Sequence, residues 1–226
     1  MAVRLHDLSG PLVVSSGAAR VPPWGCSGLG AVGSTWLASV MNEITVRSLT
    51  EADWADYRAV RLAALTDSPE AFSSTAEEEQ AWTEEQWLAR MRRAPRFIAE
   101  RAGQVVGTAA LGLHAATDVD GQDIDAGPDA AVGEIFGLWV TPLARGTGVA
   151  TALASAASKR ALDDGRSHVV YWVSTDNGRA VAFASGLGFR PTDSRRAMRG
   201  SRHDGEEEIA MILPLGSDRG TRPTLG

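Results

Sequence analysis

The sequence predicts one α/β domain, a mixed sheet with helices on its faces. Three observations predict it. Strand and helix signals run from Ile44 to Leu213 in the order β-α-α-β-β-β-α-β-α-β-β, an order that a layered sheet-and-helix fold accommodates. The composition, 44% hydrophobic and 22% charged over 226 residues, is that of a globular chain with enough length for one core and some excess. A third signal is local: an apolar strand passes through a glycine-bearing turn into an alanine-rich helix near Arg145.

Residues 1–40 stand outside the pattern. They are rich in Gly, Ser, Ala and Pro, and we read them as a flexible extension. The domain then spans 41–215, with Met41 a natural start, and 216–226 form a polar tail. Gly28-Leu29-Gly30-Ala31-Val32-Gly33 matches the dinucleotide pattern G-x-G-x-x-G, which needs a strand directly before it. Val21-Pro22-Pro23-Trp24 cannot be a central strand, so the motif is read as linker.

Each element has its own cause. Ile44-Thr45-Val46-Arg47 reads as a short strand. Thr50 caps a helix, with Glu51 in its first turn and Asp53 three residues on. Trp54, Tyr57, Val60, Leu62 and Leu65 keep helical spacing until Pro69. A second helix covers 83–93, with Trp87, Leu88 and Met91 as its stripe and Pro95 as its stop. Strands at 96–100 and 104–111 form a hairpin turned by Arg101-Ala102-Gly103. Residues 114–130 are a polar loop with Asp118, Asp120, Asp123, Asp125 and Asp129. The sixth place from Asp118 is Asp123, not the glycine a calcium loop needs, so the loop is read as solvated. An apolar strand covers 132–140, a helix 149–163 stops at Gly165, a strand covers 168–173 and a helix 177–186. A short strand begins at Phe189, and the last strand covers 208–213.

Charge and cysteine content exclude several classes. Net charge is -6, and no basic run exceeds Arg92-Arg93 and Arg195-Arg196, so nucleic-acid binding lacks the phosphate-neutralising charge that drives it. One cysteine, Cys26, forbids an intrachain disulfide and suits the cytoplasm. No apolar run approaches the roughly 20 residues that span a bilayer, and Asp7, Gly10 and Pro11 break any signal-peptide core. His114 and His168 lack metal-ligand partners at helical spacing, so no metal is proposed.

The turn after residue 140 carries the chemistry. Gly146 and Gly148 let the backbone approach a ligand closely, and the helix that follows offers unpaired amides at its positive end. That is an anion site, most naturally for phosphate, and Arg145 adds a charge-assisted donor. The Lys-Ser/Thr pair of a nucleotide triphosphate loop is missing. Along the preceding strand, Glu134, Phe136, Leu138 and Val140 share one face by period two. A carboxylate among such apolar neighbours has a raised pKa, which suits a base near neutrality.

Two blocks now carry a resemblance. Arg145-x-x-Gly148-x-Ala150, after Val140-Thr141-Pro142, resembles the R/Q-x-x-G-x-G/A signature of the GNAT superfamily of N-acetyltransferases. Asn177-Gly178-Arg179-Ala180 through Phe183, then Gly188-Phe189, resembles the same family's second block. Together with the hairpin around Gly103–Gly107 the likeness covers Ile44 to Leu213. It implies a central mixed, mostly antiparallel sheet with helices on both faces, and transfer of an acetyl group from acetyl-CoA, as co-substrate, to a primary amine by direct attack. It further implies that backbone groups of Leu138, Trp139 and Val140 pair with the pantetheine arm. The amides of Arg145, Gly146, Thr147, Gly148, Val149 and Ala150 would cradle the pyrophosphate. Asn177 would bond the pantetheine or its neighbouring loop, and Phe183 would pack near the thiol. Glu134 stands where histone-type members carry a glutamate, and is the candidate catalytic base.

One departure stands out. Ala184 occupies the place of the family's usual acid, a tyrosine. It keeps open an acyl-CoA-binding module with weak or no catalysis. Ser174, Ser185 and Tyr171 lie nearby in sequence and are read as structural. The acceptor is a small-molecule amine or a protein amine at an N-terminus or lysine. The first two helices would flank its groove, with Trp54, Tyr57, Phe72, Trp82 and Trp87 mostly core. Glu77-Glu78-Glu79 and Glu84-Glu85 read as solvated helix faces. A homodimer is a further implication of the resemblance.

Overall fold

The computed structural model describes residues 43–113, 132–198 and 205–216. The 1–40 extension with its glycine motif, the acidic loop with His114, and the tail beyond Gly216 lie outside the described residues. Seven strands form one sheet: β1 (Ile44–Ser48), β2 (Arg96–Arg101), β3 (Gln104–Leu113), β4 (Val132–Val140), β5 (His168–Ser174), β6 (Arg190–Ala197) and β7 (Glu207–Pro214). Their order is β1-β2-β3-β4-β5-β7-β6. All neighbours are antiparallel except β4 and β5, which run parallel. β6 is longer than the short strand expected, because it pairs with β7 as far as Ala197↔Glu207.

Local chemistry sets the elements. Thr50 and Asp53 form the expected cap, each Thr50 donor lying 2.7 Å from the Asp53 carboxylate. The cap closes a 3-10 turn, Glu51–Asp53, that leads into α1 (Trp54–Asp67). The Thr50 amide and hydroxyl, with the Arg47 guanidinium, hold the Asp53 carboxyl down at about 2. A short helix that the sequence reading missed, α2 (Ala76–Gln80), precedes α3 (Glu84–Arg93). Reciprocal caps at Thr75–Glu78 and Thr83–Gln86 start both. The β2–β3 turn is tighter than the three residues expected. Ala102 and Gly103 alone make it, both at positive φ (52° and 73°), as two-residue hairpin turns require.

Helices cover both faces. On one, α4 (Val149–Asp163) and α5 (Gly178–Gly186) bury Val149, Leu153, Ala157, Ala161 and Ala184 against Phe97, Leu111, Ile135, Val169 and Met211. On the other, α1 and α3 bury Tyr57, Val60, Ala64, Trp87 and Met91 against Ile98 and Trp139. Of the five aromatics expected in the core, Tyr57 and Trp87 are buried and Trp54, Phe72 and Trp82 pack against them.

The acidic run corrects an expectation. Glu79 is not on a solvated face but wholly buried, with Arg61 Nη2 at 2.7 Å and Arg90 Nη1 at 3.0 Å. Burial, the largest single influence, would raise its pKa; the hydrogen bond and charge of Arg61, the charge of Arg90 and a hydrogen bond from Ser74 together hold the carboxyl low. Helix periodicity could not show this, because α2 is little more than one turn long.

Candidate active site

The site grows from the parallel pair. β4 and β5 pair from Val132↔His168 to Ile135↔Tyr171, and no farther. Beyond Ile135, β4 keeps its partner on the β3 side only, through Phe136↔Ala110, Trp139↔Thr108 and Val140↔Gly107. The β5-facing edge of Phe136 to Val140 is therefore open, and an extended ligand can add to it as a strand would.

A bulge sits at the start of that open edge. Between Thr108 and Ala110 the β3–β4 register shifts, so Gly137 and Leu138 together oppose Ala109. Gly137 has φ +60°, a conformation that glycine adopts without strain. The bulge overturns the expected common face of Glu134, Phe136, Leu138 and Val140. Ile135 packs with the α4 core, so Glu134 and Phe136 point to the α1/α3 side. After Gly137 the order inverts: Leu138 and Val140 join the α4 core, and Trp139 turns to the α1/α3 core. Period-two counting fails wherever a residue is inserted.

At its C-terminal end β4 leads through the 3-10 turn Pro142–Ala144 to the glycine loop. Gly148 caps α4 with φ +92°, and the side chain of Ile44 lies 3.9 Å from where its Cβ would stand. The first helical bond is Ala152 N–H to the Gly148 carbonyl, at 3.0 Å. The amides of Val149, Ala150 and Thr151 thus have no intrahelical acceptor, which leaves an anion-binding end. Thr147 Oγ1 donates to the Ala144 carbonyl at 2.7 Å and holds the loop closed.

Arg145 does not play the part expected of its side chain. Its Nε donates to the Val140 carbonyl at 3.0 Å, and Nη2 pairs with Asp67. Asp67, at the end of α1, also accepts from Trp139 Nε1 at 2.8 Å; that bond is the leading cause of its lowered pKa. Arg145 and Asp67 thus brace the strand-to-loop corner, and the Val140 carbonyl already has a donor. The cation that reaches the loop comes from elsewhere. Arg101 Nη1 donates to Thr147 Oγ1 at 3.2 Å from the end of β2. Only strand register could have revealed Arg101, since 44 residues separate it from Arg145.

The second block lies on the α4 side. Asn177 caps α5, its Oδ1 accepting from Ala180 N–H at 3.0 Å, and Phe183 is half-buried on the same helix. Ala184 is fully buried in the α4/α5 core.

Glu134 lies on the opposite face. It is 8% exposed, but its surroundings are not the apolar ones expected. Arg196 Nη2 lies 3.3 Å from Glu134 Oε1, Arg196 Nε lies 2.7 Å from Glu208 Oε2, and the guanidinium stacks over Trp172 at 4.1 Å. β6 supplies that arginine, and nothing in the β4 sequence signals it. Farther along the same face, Arg96 is buried between the rings of Tyr57 and Phe136, each 5.2 Å away. Burial lowers its pKa to about 10, so it remains a cation at neutral pH.

An open strand edge runs into the amide end of α4, and a buried carboxylate, Glu134, lies on the opposite face of the sheet. The acetyltransferase (GNAT) family model matches residues 49–189, so the chain belongs to that family. The chain is 31% identical to the mycothiol acetyltransferase of Parafrankia sp. over 153 residues, 66% of this chain and 47% of that protein. The chain spans about half the length of the curated relatives it matches. Among solved structures, yncA of Salmonella typhimurium, determined with its cofactor acetyl-CoA, superposes with TM-score 0.61 at 19% identity, over 79% of this chain and 98% of that one. The ribosomal-protein-alanine N-acetyltransferase of Brucella melitensis gives TM-score 0.57 at 21% identity, over 76% and 99%. The last two likenesses establish the fold: the mixed sheet with helices on both faces. No helix among the described residues is long and apolar enough to cross a membrane.

Proposed function

We propose that this chain transfers an acetyl group from acetyl-CoA to a primary amine by direct attack. One observation carries the proposal: the open edge of β4 runs straight into the amide end of α4. An extended pantetheine fits the edge, and a pyrophosphate fits the loop of Arg145 to Ala150. The carbonyl of the thioester then lies by the bulge at Gly137. Glu134, on the other face, takes the proton that the substrate ammonium must lose before the neutral amine attacks. Asn177 and Phe183 border the donor from α5. The curated relatives named mycothiol acetyltransferase support a small-molecule acceptor over a protein amine. We place the chain in the cytoplasm on its single cysteine, and a homodimer rests on family resemblance alone.

The test is release of CoA thiol from acetyl-CoA over a panel of amines, including amino sugars, polyamines and peptide N-termini. Release with at least one amine is the expected result. Tight acetyl-CoA binding with no release from any amine would favour the binding-module alternative, which the buried Ala184 methyl motivates.

A further inference from the structure

A buried cation is costly unless a counter-charge and hydrogen bonds come with it. Among the described residues, the α1/α3 face buries two carboxylates, and both are claimed. Glu79 is shared by Arg61 and Arg90, and Glu134 pairs with Arg196. Arg96 is left over. It is 3% exposed, and no carboxylate among the described residues pairs with it. Its Nη2 donates to the Arg90 carbonyl at 3.3 Å, in the last turn of α3, and its buried Nε has no hydrogen-bond partner among those residues. A helix end offers about half a negative charge, too little to balance a guanidinium. Burial lowers the pKa of Arg96, the charges of Arg90, Arg61 and Arg93 push the same way, and the Tyr57 phenol opposes them. Two further buried donors beside it lack acceptors: Arg90 Nε, and Trp87 Nε1, whose ring meets Tyr57 at 6.0 Å.

The register ties this surplus charge to the acceptor side. Arg96, Ala110 and Phe136 stand in one row across β2, β3 and β4, and Gly112 and Glu134 form the row beside it. Between the arginine and β4, then, β3 sets only a methyl and a hydrogen on this face. The Phe136 ring fills the space. Its centre lies 5.2 Å from the Arg96 guanidinium, and a Cβ on Gly112 would stand 3.0 Å from its edge. Phe136 is only half-buried, and it is the first residue of the open edge.

Resting on the acetyltransferase proposal, we propose that Arg96 binds a carboxylate of the acceptor, which makes the substrate an amino acid or another amine bearing an acid group. The amine stands by Glu134, and the acid group reaches Arg96 as the Phe136 ring swings aside. The carboxylate accepts from the unmatched Nε and supplies the missing negative charge. Arg96 selects and orients the acceptor; no bond to its acid group forms or breaks.

The probes are α- and ω-amino acids, each beside its primary amide, which keeps the amine and removes the charge. Thermal melts of the full chain with CoA present read binding without reaction, since a ligand of the folded state raises the Tm. At least one acid should bind the wild type about tenfold or more tightly than its amide, as a charge-assisted hydrogen bond provides. In Arg96→Met acid and amide should act alike, with acetyl-CoA affinity unchanged. If no acid is favoured by the wild type, or if the preference survives in Arg96→Met, the proposal is overturned and Arg96 is a helix cap alone. Should Arg96→Met not fold, Arg96→Lys takes its place. It lacks the Nε donor and the planar fork, so the preference should weaken; an undiminished preference overturns the proposal. Release of CoA thiol from acetyl-CoA reads the transfer separately. Acids that bind without release leave the Arg96 site standing and sink the transfer. Equal release from acids and amides, with equal Tm, sinks the Arg96 site and leaves the transfer standing.

Discussion

The two faces of the sheet are built from different materials. The α4/α5 face is apolar throughout, with alanines and valines against the strands, and it meets the proposed donor through backbone groups: the open edge of β4 and the amides of the glycine loop. The α1/α3 face buries Arg61, Glu79, Arg96 and Glu134, and its chemistry is in side chains. Backbone groups recognise what every acyl-CoA shares. Charged side chains, set in pairs such as Arg196–Glu134 and Arg61–Glu79, can differ from one acceptor to the next. Gly137 separates the two by turning the strand over in its middle.

That contrast can be broken from the donor side first. Gly148→Glu places a carboxylate where the proposed pyrophosphate would lie and a side chain at φ +92°. Acetyl-CoA affinity should fall by about a hundredfold or more, since like-charge contacts cost several kcal/mol; retained affinity in a calorimetric titration would put the anion site elsewhere. From the other side, Glu134→Gln should lower kcat by about a hundredfold or more, the range of general base catalysis, while acetyl-CoA affinity stays at the wild-type value. Equal losses in affinity and rate would deny that the faces divide the work.

Smaller changes sharpen the division. Gly137→Ala forces a left-handed conformation on a residue with a side chain, a cost of about 1–2 kcal/mol. Its Tm should drop by several degrees and acetyl-CoA should bind more weakly; an unaltered Tm would mean that the bulge needs no glycine. Asp53 tests the acid side of stability. Its carboxyl is held at about 2 in the folded chain against about 3.9 when unfolded. Its contribution is complete above the unfolded value and is lost as pH falls toward 2. Asp53→Asn should therefore lower the Tm near neutrality and narrow its gap to wild type toward pH 2; a gap independent of pH would contradict this.

What was legible in the sequence follows the same division. The strand–turn–helix at Val140 to Ala150 could be read because glycines, Pro142 and an apolar strand are local signals, and α4 has the predicted bounds, Val149–Asp163. The cap at Thr50 and the hairpin were legible for the same reason. The bulge was not, because its mark is a register against β3, and Gly137 alone is compatible with a plain strand. Glu79 and Arg196 were not, because their partners lie 18 and 62 residues away. Arg145 misled in a different way: a cation beside an anion site invites pairing with the ligand, whereas Asp67 claims it first.

The central claim is that acetyl-CoA lies along the open edge of β4 with its pyrophosphate on the loop amides. Amide hydrogen exchange, resolved by residue, measures this directly. With saturating acetyl-CoA, the amides of Gly146, Gly148, Val149 and Ala150, together with those of the open edge at Leu138 to Val140, should slow markedly, while amides around Arg196 on β6 keep their rates. Bound acetyl-CoA with unchanged exchange at the loop and the open edge would contradict the account.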